Sequence, residues 1–215
     1  MEKITTDKII TIGREFGSGG REIGLKLAET LGVPFYDKEI ITLTAESGGL
    51  DESFVASNEE GNHLMSANGL GRMSFASFKY KPSFADGLFL HQCEVIKKIA
   101  QEGPCVIVGR CADYVLQEKA ISVFIAASMP YKIARKRAMA PEKASYSDSE
   151  MQKYIEDVDK TRRSYYEHYT NHKWGNIANY HLCVHSDLVG VNGSVETILA
   201  YMAENIMKGL SCKDG

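Results

Sequence analysis

Residues 8–24 read KIITIGREFGSGGREIG. The apolar run 9–12 predicts a buried strand, and the residues after the glycines predict a helix. Glycines let successive main-chain N–H groups converge on one point, and the following helix directs the positive end of its dipole there. We therefore expect a phosphate-binding turn whose ligand is a nucleotide. The residues expected to contact that nucleotide are Gly17, Ser18, Gly19, Gly20, Arg21 and Glu22.

This turn departs from the usual P-loop, which has a lysine and then a hydroxyl residue directly after its last glycine. Gly20 stands in the place of the lysine, Arg21 in the place of the Ser or Thr, and Arg14 in the place of the opening glycine. Two explanations are open. Either Arg21 or Arg14 supplies the missing positive charge in another geometry, or the site binds phosphate without transferring it.

Two other interpretations of the turn are also open. A dinucleotide-binding turn needs glycine at its first, third and sixth positions. Counted from Gly17 the sixth position is Glu22, although Asp37 stands roughly where the ribose-binding acid would be. An ordinary strand-to-helix turn uses glycine for tightness alone, but four glycines within eight residues are more than one such turn requires.

The composition limits the classes of protein to which the chain can belong. With 215 residues, 44% of them hydrophobic, it can form one α/β domain with a full core. A net charge of −3 gives no overall basic field for a nucleic-acid backbone. The five cysteines show no C-x-x-C spacing, which argues against a disulfide framework or a zinc ribbon. No apolar stretch approaches a membrane span, so we expect a soluble, cytoplasmic protein without a nucleic-acid or membrane partner.

Short apolar runs bounded by turn residues predict five strands. These runs are residues 9–12, 33–36, 104–108, 121–126 and 180–184. Helical patterns lie between and after them, at residues 21–31, 88–100, 131–139, 148–171 and 195–207. The alternation predicts an α/β fold, a parallel five-stranded sheet with helices on both faces, and ligands at the carboxyl ends of its strands.

Residues 57–87 interrupt this alternation. They carry aromatic side chains at Phe75, Phe78, Tyr80 and Phe84 among serine, asparagine, glycine and methionine. One interpretation is a mobile lid over a bound substrate. The other is a homodimer contact, because exposed aromatic side chains in this number usually pack against a partner surface.

Arginines are concentrated in the second half of the chain. Arg110 and Asp113 follow the third predicted strand, and we expect them to face the same crevice as the glycine turn. An arginine in that place can hold a phosphate through two hydrogen bonds. Five of the eight arginines lie between positions 110 and 163, which favours one concentrated polyphosphate site. The others in this group are Arg135, Arg137, Arg162 and Arg163.

The order of these segments resembles the nucleoside monophosphate kinases over nearly the whole chain, and most closely the cytidylate kinases and their cytidylate-kinase-like relatives. The strand, glycine loop and helix of that family resemble residues 9–31. Its segment after the second strand is similar to residues 35–38, and its Asp-Gly-Arg-Asp segment is similar to residues 108–111. Its arginine-rich lid resembles residues 127–137 and 156–162. Residues 17–23 look like the loop of the cytidylate-kinase-like branch.

The resemblance implies a P-loop NTPase-type fold in one domain, residues 1–215, with an acceptor-side insertion at 57–87 and an arginine-rich lid at 130–172. It implies ATP-dependent phosphoryl transfer, with Mg²⁺, to a small acceptor, first of all a nucleoside monophosphate such as CMP. Residues 17–22 would hold the donor phosphates. The implied acceptor residues are Asp37, Arg110 and Asp113, and the implied catalytic residues are Arg21, Arg135, Arg137 and Arg162.

The chain also departs from this family in ways that bear on activity. The acids that flank the Gly-Arg pair of the family are Val108 and Cys111 here, in addition to the changes at Gly20 and Arg21. These losses keep a second interpretation open, a nucleotide-binding protein without kinase activity that serves as a sensor or an assembly component.

Overall fold

The structure is a computed structural model that describes residues 6–49, 84–139 and 145–211. In chain order the elements are β1 Ile9–Arg14, α1 Gly20–Leu31, β2 Phe35–Tyr36, α2 Glu39–Gly48, α3 Phe84–Glu102, β3 Val106–Val108, α4 Ala112–Leu116, β4 Ala120–Ala126, α5 Met129–Met139, α6 Asp148–Thr170, β5 Leu182–His185 and α7 Ser186–Ser211. Short 3₁₀ turns at Gln117–Lys119 and Ile177–Asn179 precede β4 and β5. Within the described ranges, no helix has both the length and the apolar character that a bilayer crossing requires.

The five predicted strands are all present, and so are the five predicted helices. The sequence patterns did not indicate α2 or the short α4. Most of the insertion at 57–87 lies outside the described residues, and its last four residues form the start of α3. The predictions of a lid or a dimer contact there therefore stay predictions.

The strands form one parallel sheet in the order β2-β3-β1-β4-β5. β1 lies in the middle, where Ile12 is paired with Val108 on one side and with Val123 on the other. The chain leaves β1 toward one edge of the sheet and later returns to build the other edge. Ligands of open parallel sheets bind at such a reversal of strand order. The predicted fold class is confirmed, and the glycine turn at the carboxyl end of β1 lies at this reversal.

Helices cover both faces of the sheet, which explains why the strands are apolar without alternation. On one face, fully buried Ile10 and Ile12 of β1 pack with Ile23 and Leu27 of α1 and with residues of α7. On the other face, Ile9 and Ile107 pack with residues of α2, α3 and α4. The sheet is therefore held rigidly between two layers, and its carboxyl edge is a stable base for the turn.

Helices α5 and α6 pack against each other beside the turn. Their contact buries Ile133 of α5 with Met151 and Ile155 of α6, and Phe16 of the turn packs against this cluster. A capping box begins α6: the Ser147 side chain accepts from the Glu150 N–H, and the Glu150 carboxylate accepts from the Ser147 N–H at 2.8 Å. The capping box fixes the residue at which α6 begins.

The described cysteines carry free thiols, at Cys93, Cys105, Cys111 and Cys183. Burial raises the pKa of Cys93 and of Cys105 to about 11. Because the thiolate is the nucleophile, neither thiol is poised to react at neutral pH.

Candidate functional site

The turn between β1 and α1 is held by hydrogen bonds within the turn and by one from α7. Gly17 and Gly19 have φ angles of 85° and 84°, in the left-handed region that favours glycine. The Ser18 Oγ donates to the Glu15 carbonyl at 2.8 Å, and the Ser18 carbonyl accepts from Ser186 Oγ at 2.5 Å. Ser18 is fully buried, and its hydroxyl and carbonyl groups hold the shape of the turn. Its contact with a nucleotide stays a prediction.

Helix α1 offers main-chain donors beside this turn. Its first intrahelical hydrogen bond runs from the Ile23 N–H to the Gly19 carbonyl at 2.9 Å. The N–H groups of Gly20, Arg21 and Glu22 precede that bond and have no acceptor within the helix. Together with the positive end of the helix dipole, they form the start of an anion site.

A cleft of about 550 Å³ opens beside the turn, a size within the usual range of small-molecule sites. Among the described residues, seven cationic and three acidic side chains line it. The cations are Arg14, Arg21, Lys38, Arg110, Arg135, Lys136 and Arg162, and the acids are Glu15, Glu22 and Asp37. Because the whole chain has a net charge of −3, positive charge is concentrated here, and a polyanionic ligand suits the cleft.

Helix α5 lies against the turn and brings Arg135 to it. A Cβ built on Gly17 would be 3.1 Å from the Lys132 Cβ, and one built on Gly19 would be 3.3 Å from the Arg135 Cζ. An ion pair with Glu22 holds the Arg135 guanidinium in this place. The structure therefore brings one predicted catalytic arginine to the glycine turn itself.

A buried ion-pair network anchors the turn to α5 and α6. The Lys132 Nζ lies 3.1 Å from Glu15 Oε2 and 3.5 Å from Asp159 Oδ2. Asp159 Oδ1 accepts a hydrogen bond from the Phe16 N–H at 2.6 Å. Burial raises the pKa of Asp159, while the Phe16 N–H, Lys132 and Arg162 act to lower it. Sequence reasoning did not assign Lys132 to the site, although its spacing of four from Lys136 places both on one side of α5.

The predicted residues Arg21, Asp37 and Arg110 meet on the wall that α1 and the ends of β2 and β3 form. The Arg21 Nε donates to Asp37 Oδ2 at 2.7 Å, and Asp37 is only 5% exposed. Buried Arg110 follows β3 with a φ of 60° and lines the cleft. Arg162 reaches the cleft from α6, where its Cζ lies 5.3 Å from the centre of the Phe16 ring.

Two predicted residues do not reach this cleft. Arg137 donates to Asp148 Oδ1 at 2.7 Å and to the Tyr146 carbonyl at 3.1 Å. It follows Arg135 by two residues, which on a helix is a rotation of about 200°. Asp113 accepts from the Tyr166 hydroxyl at 2.7 Å and lines a different cleft. The expectation that Asp113 faces the glycine turn is therefore wrong, because the chain turns into α4 directly after Arg110.

The described residues do not fit a protein-held Mg²⁺ site. Each acid of the cleft is already in an ion pair: Glu15 with Lys132, Glu22 with Arg135, and Asp37 with Arg21. The hydroxyl that holds Mg²⁺ in a P-loop is replaced by Arg21. In the part of the chain that the structure describes, no cluster of three or more metal-ligating side chains occurs.

The left-handed backbone at Gly17 predicts a stability cost for any side chain there. Gly17→Ala is expected to lower the free energy of unfolding by about 1–2 kcal/mol, because an L-residue is strained at this φ and the new Cβ crowds Lys132. Gly87→Ala is the matched control, since none of the described residues lies within 4 Å of its Cβ position in α3, and it is expected to be neutral or stabilising. Urea unfolding measures both, and equal stability of Gly17→Ala and the wild type would contradict the assigned backbone.

Comparison with known proteins adds a family and a fold. A model of the cytidylate kinase-like family matches residues 9–188. No curated protein sequence matches the chain. Among solved structures, an uncharacterized protein from Eubacterium ventriosum ATCC 27560 is 27% identical with a TM-score of 0.65, over 91% of this chain and 98% of its own.

Two shikimate kinases share the fold at lower similarity. The one from Bacteroides thetaiotaomicron is 14% identical, with a TM-score of 0.52, over 93% of this chain and 98% of its own. The one from Acinetobacter baumannii, solved in complex with shikimate, is 14% identical, with a TM-score of 0.50, over 93% of this chain and 96% of its own. At this identity the likeness concerns the fold alone.

Proposed function

The chain belongs to the cytidylate kinase-like family, and from this premise we propose that it is a phosphotransferase that moves the γ-phosphoryl group of ATP to a small anionic acceptor, in the first place a nucleoside monophosphate such as CMP. The observation that carries the proposal is the cation-lined cleft at the start of α1. The main-chain amides of the first turn of α1 and several arginines converge there in a chain that is acidic overall. A triphosphate is the ligand class that this arrangement suits best.

Phosphoryl transfer needs alignment of donor and acceptor, and positive charge where the equatorial oxygens gain charge. An oxygen of the acceptor forms the new bond to the γ-phosphorus, the bond to the β,γ-bridging oxygen breaks, and ADP leaves. In our proposal the turn and the amides of Gly20, Arg21 and Glu22 hold the donor phosphates. Arg135 and Arg162 supply charge to the transferring group. Arg137, which lies outside the cleft, has no role.

The acceptor belongs, in this proposal, on the wall with Arg21, Asp37 and Arg110. Arg110 is buried, and its planar guanidinium carries a fork of N–H donors that can hold an acceptor phosphate through two oxygens. The ion pair between Arg21 and Asp37 keeps both side chains at this wall. Residues 57–87 would complete the acceptor side, and residues 130–172 would form the lid. No step is assigned to a protein-held Mg²⁺, and the cation that accompanies ATP would be held by its phosphates.

A second candidate is a nucleotide-binding protein that does not transfer phosphate. The specific observation in its favour is that every acid lining the described cleft is already paired with a cation. Binding of ATP would then regulate or assemble the protein. The same cleft serves both candidates, so binding alone does not separate them.

The decisive experiment combines calorimetry with an assay of ADP release. We expect ATP to bind, and ADP release to rise when one acceptor of a panel of CMP, UMP, AMP, GMP and shikimate is added. The rate of ADP release without any acceptor gives the background hydrolysis of ATP. Binding of ATP without release for any acceptor would favour the second candidate. Heat with NAD and none with ATP would refute both and favour a dinucleotide-binding protein.

A further inference from the structure

Arg14, the last residue of β1, occupies the space that a side chain at position 20 would need. A Cβ built on Gly20 would lie 2.4 Å from the Arg14 Cβ and 3.0 Å from its Cγ. Two carbon atoms cannot approach to 2.4 Å without displacement of one of them. Gly20 is a residue of α1 without a left-handed φ, so its backbone would accept a side chain. The stem of Arg14 is therefore what keeps position 20 free of one.

This contact explains both departures from the P-loop pattern at once. The pattern has glycine at its first position and lysine at its seventh. Here the first position is Arg14 and the seventh is Gly20. Because both stems would fill the same space, only one of the two positions can carry a side chain. Compared with the P-loop pattern, the cationic side chain is at the first position and not at the seventh, and the two positions together still carry one cation.

We propose that Arg14 supplies the cation that the lysine supplies in an ordinary P-loop, and that its guanidinium binds the outer phosphates of the nucleotide. Arg14 lines the same cleft as Gly19 and Gly20. The side chain of Arg21 extends away from Gly20 to the acceptor wall, where its Nε donates to Asp37 Oδ2 at 2.7 Å. The inference rests on the proposed function in one respect, that ATP occupies this cleft.

A guanidinium would act on the phosphates differently from an ammonium. Its fork can contact two oxygens in one plane, whereas a lysine is a point charge. Because the proposed contact is with the outer phosphates, the ligand that Arg14 binds should be a nucleoside di- or triphosphate and not a monophosphate. The affinity of AMP for the cleft should depend little on Arg14.

The role of the Arg14 charge in nucleotide binding is tested by calorimetry with ATP, ADP and AMP. Arg14→Met keeps a stem beside Gly20 and removes the charge, and we expect it to lower ATP affinity about ten- to a hundredfold while AMP binding changes little. Arg14→Lys is expected to recover most of the loss. Arg137→Met is the matched control, and it is expected to bind ATP within about twofold of the wild type, because Arg137 lies outside the cleft.

The steric relation between positions 14 and 20 is tested by variants that restore the residues of the P-loop pattern at these two positions. Gly20→Lys alone is expected to lower the melting temperature, because its Cβ meets Arg14. The double variant Arg14→Gly with Gly20→Lys is expected to restore the melting temperature and to bind ATP at least tenfold more tightly than Arg14→Gly alone. These thermal measurements need no nucleotide, so they report on the contact whether or not ATP is the ligand.

The outcomes separate the inference from the proposed function. If the wild type binds no ATP, the proposed function fails. If the wild type binds ATP and Arg14→Met binds it equally well, the role of Arg14 fails and the proposed function stands. A Gly20→Lys variant as stable as the wild type, or a folded double variant that binds ATP no better than Arg14→Gly, would overturn the inferred relation between positions 14 and 20.

Discussion

Arg135→Ala is expected to lower kcat for phosphoryl transfer from ATP by about 10³-fold or more. The Arg135 guanidinium lies over Gly19, and its ion pair with Glu22 holds it there before any ligand binds. An arginine fixed beside the transferring phosphate stabilises charge that develops in the transition state, and such contacts are worth about 10³ or more in rate. Since this charge is absent from the ground state, kcat should fall far more than the KM for ATP rises. Steady-state ADP release with the preferred acceptor measures both.

Arg137→Ala is the matched control for this experiment. It removes the same side chain from the same helix two residues further on, where the guanidinium contacts Asp148 and not the cleft. We expect its kcat to stay within about twofold of the wild type. An equal loss in both variants would indicate general damage to α5. A wild-type rate for Arg135→Ala would remove this residue from the mechanism.

Lys132→Met is expected to destabilise the protein more than any other single change considered above. The substitution removes the cation between Glu15 and Asp159 and leaves both carboxylates facing each other, with Asp159 buried. Loss of one partner from a buried ion pair costs about 3–5 kcal/mol. For a chain of this length the melting temperature should fall by roughly 10 °C. Because Asp159 also holds the Phe16 N–H, the glycine turn should lose order together with α5 and α6.

Two further variants test this explanation. Lys26→Met removes a half-exposed lysine whose ion pair with Glu22 spans 3.8 Å, and it should change the free energy of unfolding by less than about 1 kcal/mol. Adding Asp159→Asn to Lys132→Met removes the second charge and keeps an oxygen for the Phe16 N–H. This double variant should regain part of the lost stability. No recovery would show that Lys132 acts through packing and not through charge.

Local sequence was sufficient to predict the fold class and the five strands. Strand β1 and its neighbours are apolar runs because both faces of a parallel sheet are covered, and this pattern is visible without knowledge of partners. The glycines of the turn predict a backbone conformation that other residues rarely adopt. The φ angles of Gly17 and Gly19 confirm it. Helix α2 was not predicted, and its start carries no capping signal, since Lys38 is at its N-cap position without a side-chain hydrogen bond.

The candidate site was only partly predictable. The cleft does contain Arg21, Asp37, Arg110, Arg135 and Arg162, as their order along the chain indicated. Asp113 and Arg137 lie elsewhere. Position along a strand or helix predicts which edge of the sheet a residue approaches. It does not predict the rotation of each helix about its own axis, and that rotation decides which side chains enter the cleft.

The amino-acid sequence by itself therefore determined the parallel sheet and the glycine turn at its central strand, because these depend on apolar periodicity and on local backbone preference. The concentration of arginine near the carboxyl ends of the strands was also visible from residue positions alone. Only the tertiary structure decided that Lys132 binds Glu15 and Asp159, and that Arg14 takes the space beside Gly20. Both contacts join residues that local pattern treats separately. They arise from close packing in three dimensions, where two side chains cannot share one volume and a buried charge must find its partner.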